Sequence, residues 1–145
     1  LWNYDAAWVI PTIDVQKLVL DALQSDADVL KLHTAAYNMV SYPWSTKYQQ
    51  SNQWAIEMLA QAMDPRIQNR EQAQEWLKSQ SYQPSVLTIG ALKRLGGRMT
   101  SANLAFDDHP NEKRFADRIE TITVDSVFEW TERVHLSGGI IKLSN

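Results

Sequence analysis

One amphipathic segment, from residue 51 or 52 to residue 63, constrains the fold of this 145-residue chain more than any other. Its apolar residues have the three- and four-residue spacing of one buried helix face: Trp54, Ala55, Met58, Leu59 and Ala62. Asp64-Pro65 then ends the helix, because proline lacks the backbone donor that a further turn needs. Pro43 likewise keeps residues 41–46 out of helical geometry. The sequence therefore predicts a packed helix that is entered through a loop.

Short strands and helices of varied length surround this helix. Alternating and β-branched residues predict strands at residues 4–10, 85–89, 119–124 and 140–143. Helical spacing and capping residues predict helices at 12–23 after a Thr12 cap, 29–37, 70–80 after an Asn69 cap, 91–95, 111–118, and from a Ser126/Glu129 capping box to 135. The strand spacings do not repeat as βαβ units would. We therefore expect an α+β fold with a mostly antiparallel sheet and packed helices.

Composition indicates a globular chain and argues against several classes of function. Hydrophobic residues make up 44% and charged residues 21%, as in ordinary folded domains. The net charge of −3 gives no domain-wide basic field to hold a nucleic-acid backbone, and the absence of cysteine excludes disulfides and thiolate chemistry within the chain. No apolar stretch reaches the roughly 20 residues that span a bilayer. Phosphate-loop, HExxH and nucleophile-elbow motifs are absent as well. We expect no cofactor, no nucleic-acid partner and no transmembrane segment.

The beginning of the chain is unusually apolar and aromatic. Residues 1–10 read LWNYDAAWVI, whereas exposed termini are usually polar. We therefore expect this segment to be an internal strand. On that interpretation, residues 1–145 form a single domain or the C-terminal part of a larger one.

Ser51 is the first candidate for chemistry. It precedes Trp54 by three residues and Ala55 by four, so it should project from the apolar face at the amino-terminal end of the helix. Unpaired backbone N–H groups and the positive end of the helix dipole favour a nucleophile and a developing oxyanion at such a position. The alternative is that Ser51 is only a helix N-cap, a role that serine commonly fills.

A second candidate is the run Asp107-Asp108-His109-Pro110, at the end of an irregular segment that covers residues 98–110. Two carboxylates beside an imidazole could hold a metal ion or orient a general base. The alternative is an Asp-rich turn before a helix. His33, in a predicted helix, and His135, near a predicted helix end, are interpreted as structural. His109 is therefore the candidate base within the chain.

Aromatic residues cluster around the entrance to the central helix: Tyr42, Trp44, Tyr48 and Trp54. Rings of this kind often line ligand pockets, because they combine an apolar body with a polar group. More often, however, such rings form a corner of the hydrophobic core. The sequence leaves both interpretations open.

Residues 42–54, YPWSTKYQQSNQW, followed by Glu57-Met58-Leu59-Ala60, resemble the hallmark of an uncharacterised bacterial family, domain of unknown function 2145. Two shorter stretches, at residues 82–86 and 107–110, match in the same order, as does the opening segment through Pro11. The resemblance implies a secreted or periplasmic protein with a signal peptide and a further upstream region. That region carries a histidine on a strand.

A histidine on a strand, followed later in the chain by a nucleophile at the start of a helix, is an arrangement similar to that of the circularly permuted papain-like hydrolases of the NlpC type. On this resemblance, Ser51 occupies the nucleophile position, where family members have cysteine or serine, and the upstream histidine is the base. The chain would then be the C-terminal portion of a papain-like domain. Its partner would be the upstream segment or a second polypeptide that completes the fold beside residues 4–10.

Three functional hypotheses follow. The first is a domain related to amide or ester hydrolases, active or inactive, with a cleft built from Ser51 as nucleophile, His109 as base, Asn52 and Gln53 as oxyanion donors, and Tyr42, Trp44 and Tyr48 as the wall. The second is a non-enzymatic periplasmic binding or assembly module whose cleft holds a peptide, a cell-envelope ligand or a partner chain. The third is a metal site at Asp107, Asp108 and His109.

Overall fold

A computed structural model describes residues 6–88, 90 and 104–143. This part of the chain forms six helices, α1 Ile13–Leu23, α2 Asp26–Lys31, α3 Ser51–Met63, α4 Arg70–Ser79, α5 Asn111–Phe115 and α6 Val124–Arg133. It also forms four strands, β1 Ala6–Trp8, β2 Ser85–Leu87, β3 Ile119–Thr121 and β4 Ile141–Leu143. None of the helices described here is both long enough and apolar enough to cross a membrane.

The strands pair in two small antiparallel sheets. β1 pairs with β4, so that Trp8 faces Ile141, and β2 pairs with β3, so that Leu87 faces Ile119. All three residues of β3 are buried, whereas every residue of β1 and β4 is exposed. The α+β class and the antiparallel pairing are confirmed. The described strands form two separate pairs, however, rather than the one sheet that was predicted.

The hydrophobic core lies between helices. α3 packs against α1, α4 and α6. The main cluster consists of buried side chains from these elements and their connections: Leu32, Ile56, Met58, Ala60, Ile67, Ala73, Leu77, Tyr82, Ile122 and Trp130. A smaller cluster joins Val40 to Ile119 of β3. The central helix predicted from the sequence is therefore the helix around which the core is built.

The prediction of a single apolar buried face on α3 is wrong in part. Met58 and Ala62 are buried, but Ala55 is exposed. Two polar side chains, Gln53 and Glu57, are instead fully buried. Because other elements cover α3 on more than one side, polar positions are enclosed together with apolar ones, and they need hydrogen-bond partners inside the fold.

Two helices begin three residues before the predicted position. The predicted helix 29–37 is replaced by α2, which begins after Ser25, whose side chain accepts a hydrogen bond from Asp28 N. The last helix begins after Thr123, which forms a capping box with Ser126, so the predicted Ser126/Glu129 box is wrong. In both cases an earlier hydroxyl residue forms the cap, and Ser126 becomes the N3 partner of that cap.

Several predicted elements are shorter in the structure. β3 ends at Thr121 because Thr123 already caps the next helix. α5 ends at Phe115, and Asp117 has a left-handed φ of 56°, which is typical of a helix end.

Two predicted helix caps have different outcomes. α4 and its Asn69 cap are confirmed, whereas Thr12 makes no side-chain cap bond to α1. The predicted helix 91–95 lies outside the described residues, as does part of the strand predicted at residues 4–10.

Candidate functional site

Ser51 is the first residue of α3, and Gln50, in extended conformation, is the N-cap. Ser51 is exposed and lines a groove of about 370 Å³ together with His33, Thr34, Tyr37, Gln49, Gln50 and Trp54. We call this the Ser51 groove. Within the part of the chain that the structure describes, no hydrogen bond engages the Ser51 hydroxyl, so it does not act as a cap here. The hydroxyl is free to contact a ligand at the positive end of a helix.

The opposite wall of the groove comes from residues 33–37, between α2 and α3. This segment is held beside residue 49 by backbone hydrogen bonds, with Gln49 N donating to Ala36 O at 2.9 Å and Asn38 N donating to Gln49 O at 3.4 Å. Thr34 N also donates to Gln49 Oε1 at 2.9 Å. The groove is therefore built from two chain segments that meet at one glutamine.

A buried carboxylate fixes that glutamine. Glu57 is fully buried on α3 and accepts a hydrogen bond from Gln49 Nε2 at 2.8 Å. Arg70 of α4 binds both Glu57 oxygens, at 2.7 and 3.1 Å, and Gln74 Nε2 donates to Oε1 at 2.9 Å. Arg70 also donates to Thr34 Oγ1 at 2.9 Å. Glu57, on the buried side of α3, thus holds one wall of the Ser51 groove through Gln49 and the other through Arg70 and Thr34.

The amides proposed as oxyanion donors have other partners in the structure. Gln53 accepts a hydrogen bond from the Ser41 hydroxyl at 2.6 Å, and its nitrogen lies 3.5 and 3.4 Å from Tyr42 O and Pro43 O. Asn52 Nδ2 donates to Ile122 O at 3.2 Å. Neither side chain lines the Ser51 groove. Gln53 thus holds α3 to the preceding loop, and Asn52 holds it to the residue that follows β3.

The aromatic residues proposed as a pocket wall lie in different places, and none of Tyr42, Trp44 and Tyr48 lines the Ser51 groove. Trp44 packs edge-on against buried Tyr82, with ring centroids 6.2 Å apart. Tyr42 packs against the His109 ring at 5.1 Å. The Tyr48 hydroxyl donates to Asp107 at 3.3 Å. Trp54 is the one member of the aromatic cluster that reaches the groove.

Trp54 also carries an unusual polar group. Its indole N–H is buried and has no hydrogen-bond partner within the described residues. Most buried donors in folded proteins have a partner, because an unpaired buried donor is costly. This N–H is therefore a buried donor for which the described residues supply no acceptor.

The run of residues 107–110 makes structural contacts in three directions. Asp107 accepts a hydrogen bond from Lys47 Nζ at 2.6 Å, which lowers the pKa of the carboxyl group below its usual value. The Asp108 and His109 side chains are both buried, and Asp108 Oδ2 accepts a bond from Tyr42 N at 2.7 Å. The two ring nitrogens of His109 lie 2.9 Å from Asp108 Oδ1 and 2.9 Å from Glu120 O. A role for His109 as a base, which requires it to leave one of these partners, stays a prediction.

The described residues do not bring Asp107, Asp108 and His109 together as the ligands of one metal ion. Among residues 6–88, 90 and 104–143, no group of three His, Cys, Asp or Glu side chains is arranged to hold a metal ion. The physical reason is that the two carboxylates diverge, Asp107 toward Lys47 and Asp108 toward Tyr42 N. Consecutive residues rarely turn both side chains toward one ion, and here each has its own partner.

Sequence reasoning missed His33. It was interpreted as structural because a helix was predicted across residues 29–37, but α2 ends at Lys31. His33 is exposed and lines the Ser51 groove. The signal that could have found it is the Ser25–Asp28 cap, which moves the helix three residues toward the amino terminus and frees residue 33.

Comparisons with known proteins give a family and nothing finer. No curated protein and no solved structure matches the chain significantly. Residues 1–131 match the family described as "Uncharacterized protein conserved in bacteria (DUF2145)". This match covers most of the chain, including both the Ser51 groove and residues 107–110. The chain therefore belongs to the uncharacterised bacterial family DUF2145.

Proposed function

We propose that the Ser51 groove binds a peptide-like ligand and that the Ser51 hydroxyl is the central polar contact. The observation that carries this proposal is that an exposed hydroxyl, in a groove at the start of a 13-residue helix, has no partner within the described residues. A serine that served only to cap the helix would be bonded to a backbone N–H two or three residues on.

The groove also indicates the chemistry of its ligand. The first turn of a helix has unpaired N–H groups and partial positive charge, which favour a carbonyl or carboxylate oxygen. Tyr37 and Trp54 supply apolar contact. A volume of about 370 Å³ suits a small organic group or a short peptide. The ligand class is therefore an acyl amino acid or the carboxyl end of a peptide.

A titration followed by NMR tests binding. We expect N-acetylalanine, which carries one amide and one carboxylate, to shift the amide signals of residues 33–37 and 50–54. N-acetylalanine amide, which lacks the carboxylate, should shift them less. Ser51→Glu should abolish the response, because it places a carboxylate in the groove while leaving a favourable charge at the helix start.

The control for Ser51→Glu is Gln83→Glu, which adds the same charge at an exposed position that does not line the groove. It should leave the titration unchanged. Shifts outside the groove, or equal responses of the two substituted chains, would contradict the proposal.

Hydrolysis is the second candidate function, and the specific observation that favours it is that His33 and Ser51 line the same groove. In this reaction Ser51 Oγ would form a bond to the carbonyl carbon of an amide or ester while His33 accepts the hydroxyl proton. The C–N or C–O bond would then break, and the leaving group would take the proton. Water would release the acid and restore the hydroxyl. The resemblance to papain-like hydrolases supports the same reaction class.

A fluorophosphonate probe distinguishes catalysis from binding. If Ser51 is an activated nucleophile, the probe should label the chain at Ser51, and Ser51→Ala should remove the label. His33→Gln should slow labelling by 10²-fold or more, the size of a general-base contribution. His135→Gln, a second exposed histidine, should have no effect. Binding of N-acetylalanine without any labelling would reject hydrolysis and leave the binding function.

The resemblance also supports a papain-like arrangement, a secreted or periplasmic location and completion by a further polypeptide segment. Exposed apolar side chains on β1, β4 and α1 are consistent with such completion, including Trp8, Leu20 and Leu143. A two-stranded sheet is marginal by itself, so a third strand on the β1–β4 pair would stabilise it. A structure of the full-length gene product, together with its cellular fractionation, checks these proposals. A full-length fold that leaves the β1–β4 pair uncovered would contradict the last of them.

A further inference from the structure

Thr34 lines the Ser51 groove, and one hydrogen bond determines how its hydroxyl group is used. Arg70 Nη1 lies 2.9 Å from Thr34 Oγ1. A guanidinium group has hydrogen-bond donors and no acceptor, and it stays protonated in proteins. The hydroxyl oxygen is therefore the acceptor in this contact, and the hydroxyl hydrogen points elsewhere. Within the part of the chain that the structure describes, no oxygen accepts that hydrogen.

Arg70 cannot turn away from Thr34 without losing other partners. Its side chain is buried, and Nε and Nη2 bind the two oxygens of Glu57. Nη1 also donates to Thr46 O at 3.0 Å, and Nη2 donates to Ser45 O at 3.5 Å. All five N–H groups of the guanidinium thus have an acceptor. Arg70 is therefore a positioning residue, which binds the Thr34 oxygen and leaves the hydroxyl hydrogen for a partner outside this network.

The exposure of Thr34 indicates what that partner must be. Thr34 is half-buried, so water can accept the hydroxyl hydrogen when no ligand is bound. A ligand that displaces this water must supply an acceptor in its place, because a polar group that loses its partner on binding lowers the affinity. None of the described residues that line the groove is acidic, so a negatively charged acceptor meets no like charge among them.

We propose that Thr34 is a specificity-determining residue of the Ser51 groove, whose hydroxyl group donates a hydrogen bond to a carboxylate oxygen of the ligand. This inference rests on the proposed function and names the residue that distinguishes a free carboxylate from an amide. A carboxylate only accepts hydrogen bonds, and a hydrogen bond to a charged acceptor is stronger than one between neutral groups. A primary amide replaces one of the two oxygens with an NH₂ group, which only donates. The groove should therefore select the free carboxyl end of a peptide.

Titration of Thr34→Val with N-acetylalanine and N-acetylalanine amide tests this role. Valine keeps the shape of threonine and removes the hydroxyl group. We expect the affinity for N-acetylalanine to fall roughly tenfold or more, the effect of losing a hydrogen bond to a charged group. The affinity for the amide should fall by less, so that the ratio of the two affinities shrinks. Thr34→Ser, which keeps a hydroxyl group at this position, should restore the ratio.

The ratio of affinities separates recognition from a loss of structure. Thr34→Val also takes one acceptor from Arg70, but a general loosening of the groove would weaken both ligands by the same factor. The matched control is Thr46→Val, because Thr46 is also half-buried and its backbone oxygen binds the same Arg70 nitrogen, yet it does not line the groove. This control should leave both affinities unchanged.

A measurement on the unchanged chain does not depend on whether a variant folds. The methyl and hydroxyl groups of Thr34 are bonded to the same carbon, so bound N-acetylalanine should give nuclear Overhauser effects to the Thr34 methyl protons. If the groove signals shift but these effects are absent, the role of Thr34 is overturned while the proposed function stands. An equal loss of both affinities in Thr34→Val would have the same meaning. If N-acetylalanine shifts no groove signal in the unchanged chain, the proposed function fails, and this inference fails with it.

Discussion

Replacing Arg70 with methionine is expected to lower the free energy of unfolding by about 3–5 kcal/mol, because it leaves a buried charge without its counter-ion. Glu57 is fully buried and Arg70 is nearly so, and the two form a two-pronged ion pair. After the substitution, the donors to the carboxylate that remain among the described residues are the amides of Gln49 and Gln74. The expected loss is large relative to the 5–15 kcal/mol of a typical domain.

Urea unfolding of the chain with Arg70→Met measures this loss. The matched control is Arg66→Met, which removes the exposed ion pair with Asp64 and should leave the midpoint almost unchanged. Adding Glu57→Gln to Arg70→Met should recover part of the stability, since the unpaired charge is then gone. Equal, small effects of Arg70→Met and Arg66→Met would show that the buried carboxylate does not need its arginine.

The same ion pair illustrates why the functional site is only partly predictable from sequence. The position of Ser51 at a helix start follows from local spacing, and the structure places it there. The wall opposite Ser51 depends on Glu57 and Arg70, 13 residues apart, together with Gln49. No local pattern marks two charged residues on different helices as a buried pair. The helix could be predicted, therefore, but the groove beside it could not.

Some helix boundaries can be predicted from local sequence, and others cannot. α3 and α4 have strong local signals, Asp64-Pro65 after one and the Asn69 cap before the other, and both are predicted well. The start of α6 was missed because Thr123 and Ser126 are both good caps, three residues apart. Local chemistry cannot choose between two such hydroxyls, and tertiary packing makes the choice. α2 likewise begins three residues earlier than predicted, after its Ser25 cap. The exposure of His33, which lies beyond the end of α2, was therefore not predicted.

Long-range polar contacts limit prediction further. The sequence analysis joined the aromatic loop to His109 only as parts of a cleft around Ser51. In the structure they meet away from Ser51: Tyr42 N is bonded to Asp108, and the rings of Tyr42 and His109 are in contact. Each segment satisfies polar groups that the other buries. Their shared function in the fold becomes visible only when residues 66 positions apart are brought together.

Replacing Trp130 with alanine is expected to lower the free energy of unfolding by about 3–5 kcal/mol, the usual range for truncating a buried tryptophan. Trp130 is 1% exposed and packs edge-on against Trp76 and Tyr82, with centroid distances of 6.2 and 5.7 Å. Its indole N–H donates to Gln80 O at 3.1 Å. The substitution therefore removes core contacts, opens a cavity between α4 and α6, and leaves a carbonyl without its donor.

Denaturant unfolding again measures the loss, and Phe115→Ala is the aromatic control. The Phe115 side chain is 78% exposed and contacts Arg114, so its removal should not change the unfolding midpoint measurably. Trp130→Phe should fall between the two, because it keeps most of the ring contacts while losing the bond to Gln80. If Trp130→Ala were no more damaging than Phe115→Ala, the main core could not be centred on α3, α4 and α6. If stability instead increases from Ala to Phe to Trp at residue 130, the side chain at this position stabilises the core.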